Sequence, residues 1–213
     1  MRSIKLGPFS PITALTTAFN AQTFTSTGAA VAPTTTATTD KLAHLVTFVA
    51  PVQSTLAGIT FTIIGTDAND NPLTESGITG PASGATVTST THFKTISTIQ
   101  PSATMSALVV SVGIAAESVT PTWPVDGRSI GQSAITVQVT GTINFTMSET
   151  YGNPFSYGGE TLPWVAITAL TSKTATTSGA DTVGSQALRV MTNSVTNTAT
   201  FTVWYNSPAQ ITG

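Results

Sequence analysis

The chain of 213 residues has a formal net charge of -2, no cysteine and a charged fraction of only 8%, against about 25% in an ordinary globular protein. Seven basic residues, scattered singly, exclude the electrostatic footprint that a nucleic-acid partner needs, and the absence of cysteine excludes disulfides and thiolate metal sites. No stretch comes near the ~18 apolar residues of a membrane-spanning helix, and Pro8, Pro11 and Thr16 interrupt any hydrophobic run of signal-peptide type.

Hydroxyl groups take the place of the missing charges. Threonine makes up about a fifth of the chain, and its β-branched side chain fits a pleated strand but loses χ1 freedom in a helix. Serine and threonine at this density also compete for backbone hydrogen bonds and suppress helices. We therefore predict an all-β protein with two small antiparallel β-sandwich or barrel-like domains. A surface with so few charges is poorly protected against association, which favours a function in assembly.

The first forty residues predict an extended N-terminal arm. Residues 1–40 are rich in threonine, alanine and proline, have few periodic apolar positions, and carry the well-spaced Phe9, Phe19 and Phe24. We expect this arm to begin as one strand and to continue along another protein surface, with the three phenylalanines as partner contacts. On this interpretation, deletion up to Thr39 would leave the β domains folded. The alternative is a flexible terminus.

Residues 41–120 are predicted to form the first β domain. Apolar and polar residues alternate with a period of two, as a strand with one buried face requires, most clearly at Ile59, Phe61 and Ile63. About six short strands are expected, with the spacing of a sandwich or small barrel. They cover residues 45–50, 59–63, 73–78, 86–88, 92–99 and 107–112.

The segment from Gly65 to Pro72 is expected to join two of these strands as a hairpin, because Asn, Asp and Gly tolerate turn geometry and Pro ends ladder pairing. The oxygen-bearing side chains at alternate positions from Asp67 also imitate the start of a calcium loop. However, Pro72 and Ile78 occupy the positions of the required glycine and closing glutamate. The hairpin is therefore the preferred interpretation.

The second β domain is expected to cover residues 121–213, after a stretch of proline, tryptophan and an Asp-Gly turn pair. Two alternating segments, 135–139 and 143–147, flank Gly141. They predict either one long kinked strand or two strands joined at a glycine bulge.

The end of the chain repeats the strand pattern. Residues 187–191 and 199–205 predict two antiparallel strands joined by a short turn, and Trp164 and Trp204 are expected to fill the core. One face of the last strand should carry Phe201, Val203 and Tyr205.

The chain offers little material for catalysis. His44 and His92 lie at strand ends, and general-base work would require a positioned partner and an accessible cleft. Glu149 and Glu160 flank an aromatic loop and could suggest glycoside hydrolysis, but solvated loop charges are the simpler interpretation. Phosphate loops, metal-spaced histidine pairs and a Gly-x-Ser-x-Gly elbow are missing. We therefore predict no enzyme activity and no catalytic, cofactor-binding or metal-binding residue.

Tyr151 and Tyr157 lie in the aromatic loop of residues 149–161. Tyrosine is enriched at protein interfaces, so both are predicted to contact a partner. Stacking on sugars is the alternative.

Short segments spread over residues 58–205 resemble virion structural proteins of tailed bacteriophages. In the first half these are FTIIGTDA (61–68), TGP (79–81), FKTI (93–96) and PSA (101–103). In the second half they are GTINFT (141–146), NPF (153–155), ALRV (187–190) and TNS (192–194). Within that group the chain looks most like a capsid decoration, or cement, protein.

The resemblance implies a protein of the virion's capsid surface, made in the host cytoplasm, that binds the major capsid protein. Such proteins often attach as homotrimers over junctions between shell subunits, and neither nucleic acid nor a membrane is expected as a partner. A tail, neck or head-fibre component is the main rival, and a carbohydrate-binding module is the rival from another class. Copy number per particle distinguishes a decoration protein from a tail, neck or head-fibre component. Glycan binding distinguishes it from a carbohydrate-binding module.

Overall fold

The structure, a computed structural model, describes residues 2–19, 21–24, 28–52, 55–105, 108–125, 131–154, 159–182, 184–196 and 198–207. It divides the chain into two compact units. The N-terminal unit is Ala14–Ser118, and the C-terminal unit combines Met1–Thr13 with Val119–Gly213. The boundary at residue 118 lies close to the expected one at 120. The first forty residues, expected to form a separate arm, are instead shared between the two units.

The described residues form strands and two single-turn 3-10 helices, Gly159–Thr161 and Thr168–Leu170, which confirms the all-β prediction. The strands are β1 (Arg2–Phe9), β2 (Ala21–Phe24), β3 (Ala43–Val49), β4 (Thr60–Thr66), β5 (Pro72–Thr79), β6 (Thr86–Phe93), β7 (Thr95–Pro101), β8 (Leu108–Val119), β9 (Trp123–Pro124), β10 (Ala134–Thr140), β11 (Ile143–Thr150), β12 (Val165–Ala166), β13 (Thr177–Ala180), β14 (Ala187–Val195) and β15 (Thr200–Ser207).

The N-terminal unit contains two sheets that share one core. One has the strand order β5-β4-β7, and the other joins β2, β8, β3 and β6. Phe48 on β3 stacks on Phe61 on β4 with ring centroids 4.7 Å apart, so apolar faces of both sheets meet. The strand expected over residues 92–99 is two strands in different sheets, because the chain crosses between sheets at Lys94, whose N–H donates to the Thr66 carbonyl.

Described residues between Ala14 and Asp40 pair with β8 and β7 of the same unit. The Leu15 amide and carbonyl both bond to Ile114, and β2 pairs antiparallel with β8. Farther along, Val31 exchanges two hydrogen bonds with Ile99 on β7. A Cβ on Gly113 would collide with the Leu15 carbonyl oxygen, so this glycine allows the close approach.

The expectation of a dispensable arm is therefore wrong for the described residues. Described residues between Ala14 and Asp40 form hydrogen bonds with backbone groups of β8 and β7. Pairing these backbone groups is favourable, because a buried and unpaired group is costly. Phe19 and Phe24 are fully buried in the N-terminal unit, and β1 pairs with β15 in the C-terminal unit. Deletion up to Thr39 would remove parts of both units.

The C-terminal unit has one sheet of order β1-β15-β10-β13 and a second formed by β12, β11, β14 and β9. Its core draws from both sheets, with alternate residues of each strand pointing inwards. Phe201, Val203 and Tyr205 share the buried face of β15, as predicted. The largest other buried members are Ile135, Ile143, Phe145, Met147, Ile167, Leu170 and Leu188.

Two predicted strand pairs of this unit turn out to be crossings between its sheets. β10 and β11 lie in different sheets, as do β14 and β15. Gly141 and Thr198 have φ values of 83° and 72°, and these left-handed conformations turn the chain from one sheet to the other. Neither one long kinked strand, nor two strands joined at a glycine bulge, nor a β14–β15 hairpin is formed.

Trp164 and Trp204 are half-buried. The prediction that they fill the core is wrong. The Arg189 guanidinium lies 4.4 Å from the centroid of the Trp164 ring, and the Lys5 ammonium lies 5.2 Å from that of Trp204. Each ring thus provides a face for a cation. Trp123 is the tryptophan that packs against the core.

Candidate functional site

Most predicted partner contacts are used within the chain. Phe19 and Phe24 have no exposed surface, so they cannot reach a partner in this fold; a large apolar ring gains more from burial in its own core. Phe9 is half-buried, with its ring centroid 5.1 Å from that of Phe201 and 5.7 Å from that of Trp123. Tyr157 lies outside the described residues.

Tyr151 is the predicted contact with a large exposed area, 52% of its surface. It follows β11, and the neighbouring strand β12 contributes Val165, which is 53% exposed. Pro163 and Ala166 are exposed beside Val165. We call these four residues the β12 edge. Because β12 is the outermost strand of its sheet, this edge combines apolar side chains with strand backbone, the two elements of recognition by strand addition.

Glu149, a candidate acid in the sequence, is buried and holds two chain segments together. Its carboxylate accepts hydrogen bonds from the Thr182 amide at 2.7 Å, the Thr182 hydroxyl at 2.5 Å and the Ser185 hydroxyl at 2.6 Å. The Tyr151 hydroxyl donates a fourth at 3.3 Å. Burial alone would raise the pKa of Glu149, but these donors outweigh it and hold that pKa below its usual value. The ionised form is the one this environment favours.

Asp181 lies in a second buried cluster next to the first. It accepts hydrogen bonds from the Ser133 amide at 2.6 Å and the Tyr205 hydroxyl at 3.2 Å. Burial is the main cause that raises the pKa of Asp181 above its usual value, and the nearby charge of Glu149 adds to it. The two carboxylates thus have opposite tendencies, one stabilised as an anion and the other not.

Glu160, the other candidate acid, forms an ion pair. Arg189 Nη1 lies 3.3 Å from Glu160 Oε1, with side-chain exposures of 13% and 9%. The guanidinium also covers the Trp164 ring. This carboxylate, expected to be a solvated loop charge, is therefore part of a packed cation–aromatic group.

Both histidines are paired with carboxylates in the N-terminal unit. His44 Nε2 lies 2.9 Å from Asp40 Oδ2, and its Nδ1 lies 3.1 Å from the Ala115 carbonyl. Burial would raise the pKa of Asp40, but the hydrogen bond and the charge of His44 outweigh it and lower that pKa. His92 Nε2 lies 2.9 Å from Glu117 Oε1. Each histidine thus ties a strand to a neighbouring segment.

The segment after β4 is a hairpin connection. Asp67 Oδ1 accepts hydrogen bonds from the Asn69 and Asn71 amides at 2.8 and 2.9 Å, which is the Asx-turn pattern. The Asn71 side-chain amide donates to Asp67 Oδ2 at 3.2 Å, so both carboxylate oxygens accept hydrogen bonds within the turn. Within the described ranges, no three His, Cys, Asp or Glu side chains come together in a way that could hold a metal ion.

Glu75 is a structural residue that sequence reasoning missed. From β5 it accepts hydrogen bonds from the amides and hydroxyls of both Thr90 and Thr91 on β6, at 2.6 to 2.9 Å. The carboxylate therefore links the two sheets of the N-terminal unit. A lone acid in the middle of a predicted strand was the available signal, because such a residue is depleted in strands.

Comparison with known proteins adds no family to this description. No protein-family model matches the sequence, and no curated protein is significantly similar to it. Among the described residues there is no helix with the length and hydrophobicity of a membrane span.

Proposed function

We propose that the chain is a capsid decoration protein of a tailed bacteriophage, which binds the shell of the major capsid protein and stabilises the mature head. The observation that carries the proposal is the use of the acidic side chains. Six carboxylates accept hydrogen bonds from backbone amides, hydroxyls or histidine within their own unit: Asp40, Asp67, Glu75, Glu117, Glu149 and Asp181. The few ionic groups thus stabilise the fold of each unit. The surface that remains for contact with another protein therefore consists mainly of hydroxyl and apolar groups.

Such a surface suits attachment to an assembled shell. A protein that binds the assembled state and not the free subunits shifts the equilibrium towards the shell by mass action. A nearly uncharged surface carries little like-charge repulsion between copies, so dense packing on one particle costs little. A homotrimer on the virion surface, with no nucleic-acid or membrane partner, is the assembly we propose.

The β12 edge is the proposed contact with the major capsid protein. It has two half-exposed apolar side chains, Tyr151 and Val165, and aromatic anchors of this kind dominate binding energies at interfaces. Strand addition along β12 would add main-chain hydrogen bonds without needing charged partners. Phe9, half-buried, is a secondary contact.

Copy number and add-back test the proposal. Quantitative mass spectrometry of purified particles should find hundreds of copies, and protein added to stripped heads should bind saturably and raise the temperature of shell disruption. Tyr151→Ala should weaken attachment about tenfold or more. Val52→Ala, at an 80% exposed position of the N-terminal unit, is the matched control and should bind normally. About a dozen copies per particle would instead identify a tail or neck component.

A carbohydrate-binding module is the second candidate, favoured by the exposed Tyr151 ring beside the buried Glu149. Aromatic rings of this kind can stack on sugars. Binding on a glycan array that is lost in Tyr151→Ala, together with no affinity for stripped heads, would replace the decoration role with this one.

A further inference from the structure

The C-terminal unit contains an apolar cavity of about 180 Å³ between its two sheets. Its floor consists of Met147, Leu188 and Val203, which are at most 1% exposed. Its rim consists of the exposed Pro124 and of half-buried residues, among them Leu6 on β1 and Trp123 on β9. The cavity therefore extends from the core to a margin that a small molecule can reach.

The chemistry of the lining selects against water and ions. Tyr205 is the one described lining residue with a hydroxyl, and that hydroxyl is hydrogen-bonded to Ser133 at 2.6 Å and to Asp181 at 3.2 Å. None of the described lining residues is charged. A water needs two to four polar partners, so a water against this lining makes fewer hydrogen bonds than it does in bulk solvent. An apolar occupant meets no such cost.

The size selects a small occupant. An engineered cavity of about 150 Å³ lined by aliphatic and aromatic side chains binds benzene, so the present volume fits one six-membered ring with a small substituent. The Trp123 ring and the Met147 sulfur are favourable neighbours for an aromatic edge or face. A two-ring molecule or an extended lipid chain exceeds this volume and would have to protrude past the rim.

The cavity also differs from the rest of the same core. Native interiors are close-packed, with few voids larger than a water molecule, and Ile135, Phe145 and Phe201 are packed with at most 1% exposure. One larger side chain at a rim position such as Leu6 would fill the space. The sequence instead keeps an open apolar volume beside well-packed layers.

We propose that this cavity is a binding site for a small neutral molecule with a single aromatic ring. The lining shares no residue with the β12 edge, and at the rim Trp123 lies 5.7 Å from the ring of Phe9, the secondary contact. Binding would fill a void and stabilise the C-terminal unit, so the particle's decoration layer would respond to small aromatic compounds.

Toluene binding to the full-length protein tests the proposal. At a tenfold excess over Kd, toluene should raise Tm by about 3–6 °C and shift the methyl NMR signals of Met147, Leu188 and Val203. Benzoate, which has the same ring with a charge, should do neither. The absence of methyl shifts with toluene up to its solubility, or equal shifts with benzoate, would overturn the proposal.

Leu6→Phe provides the matched variant, since the added ring atoms occupy the rim of the cavity. It should abolish the toluene-dependent shifts, whereas Val52→Phe, at an 80% exposed position of the N-terminal unit, should keep them. If Leu6→Phe does not fold, Leu6→Ala enlarges the cavity and should add binding of indole. Toluene shifts that persist unchanged in Leu6→Phe, or no gain of indole binding in Leu6→Ala, would contradict the assignment.

Discussion

Replacing Glu149 by glutamine should destabilise the C-terminal unit by about 2 kcal/mol. Three of the hydrogen bonds to this carboxylate are 2.7 Å or shorter, and a bond to a charged group contributes about 1.5–3 kcal/mol, against about 0.5–1.5 for a neutral one. Losing about 1 kcal/mol at each gives about 3 kcal/mol. The smaller desolvation cost of an amide offsets part of this.

The effect should depend on pH in a direction that the lowered pKa of Glu149 sets. A carboxyl whose folded-state pKa is lowered contributes stability that is present above its unfolded value, about 4.3, and is lost as pH falls through the folded value. The free energy of unfolding of wild type should therefore exceed that of Glu149→Gln by the largest amount at neutral pH. The difference should shrink below about pH 4.

Thermal unfolding followed by circular dichroism measures both quantities, and about 2 kcal/mol corresponds to a fall in Tm of about 4–8 °C in a chain of this size. Asp70→Asn is the control, because Asp70 is 66% exposed and pairs with Lys94 at the surface. It should cost less than about 1 kcal/mol. A Glu149→Gln variant as stable as this control, or a stability difference equal at pH 7 and pH 3, would refute the reasoning.

Three further substitutions test other contacts within the two units. The raised pKa of Asp181 means that its contribution to stability is present below its unfolded pKa, about 3.9, and is lost as pH rises through the folded value. In urea titrations the free energy of unfolding of Asp181→Asn should therefore gain on that of wild type as pH rises above about 3.9. Glu75→Ala removes the carboxylate that receives Thr90 and Thr91 donors and should cost about 2–3 kcal/mol by chemical denaturation; no change would show that solvent replaces those bonds. Gly113→Ala places a methyl group against the Leu15 carbonyl, and limited proteolysis should then cut residues 14–24 faster than in wild type.

The strands themselves could be predicted because their pattern is local. Alternation at Phe61 and Ile63 marks β4, and the last strand shows the same signal at Phe201 and Val203. The hairpin at Asp67 could also be predicted from a local pattern, because its side-chain hydrogen bonds reach only four residues along the chain.

The assignment of strands to sheets could not be predicted in the same way. Neighbouring strands usually pair, so β10–β11 and β14–β15 suggested hairpins or bulges, and only the left-handed Gly141 and Thr198 reveal the crossings. β1 pairs with β15, placing Arg2 opposite Ser207. No local pattern encodes a partner at such a distance.

The candidate site shows the same division between local and distant information. Phe19 and Phe24 lie among threonines and alanines without a clear period, so nothing nearby indicated that they belong to a core. Glu149 and its donor Thr182 are 33 residues apart, and the sequence cannot show which hydroxyls reach a given acid. Exposure of Tyr151, by contrast, agreed with its place at the end of a strand.

The pairing of β1 with β15 means that the N-terminal unit is inserted into the C-terminal one. During synthesis β1 cannot pair until β15 has been made. Their pairing closes a loop of about 200 residues, and the entropic cost of closing a loop grows only with the logarithm of its length. Early folding of the inserted unit would replace much of that flexible loop with a rigid body. The C-terminal unit would then complete last, as a slow step governed by a contact of very high sequence separation.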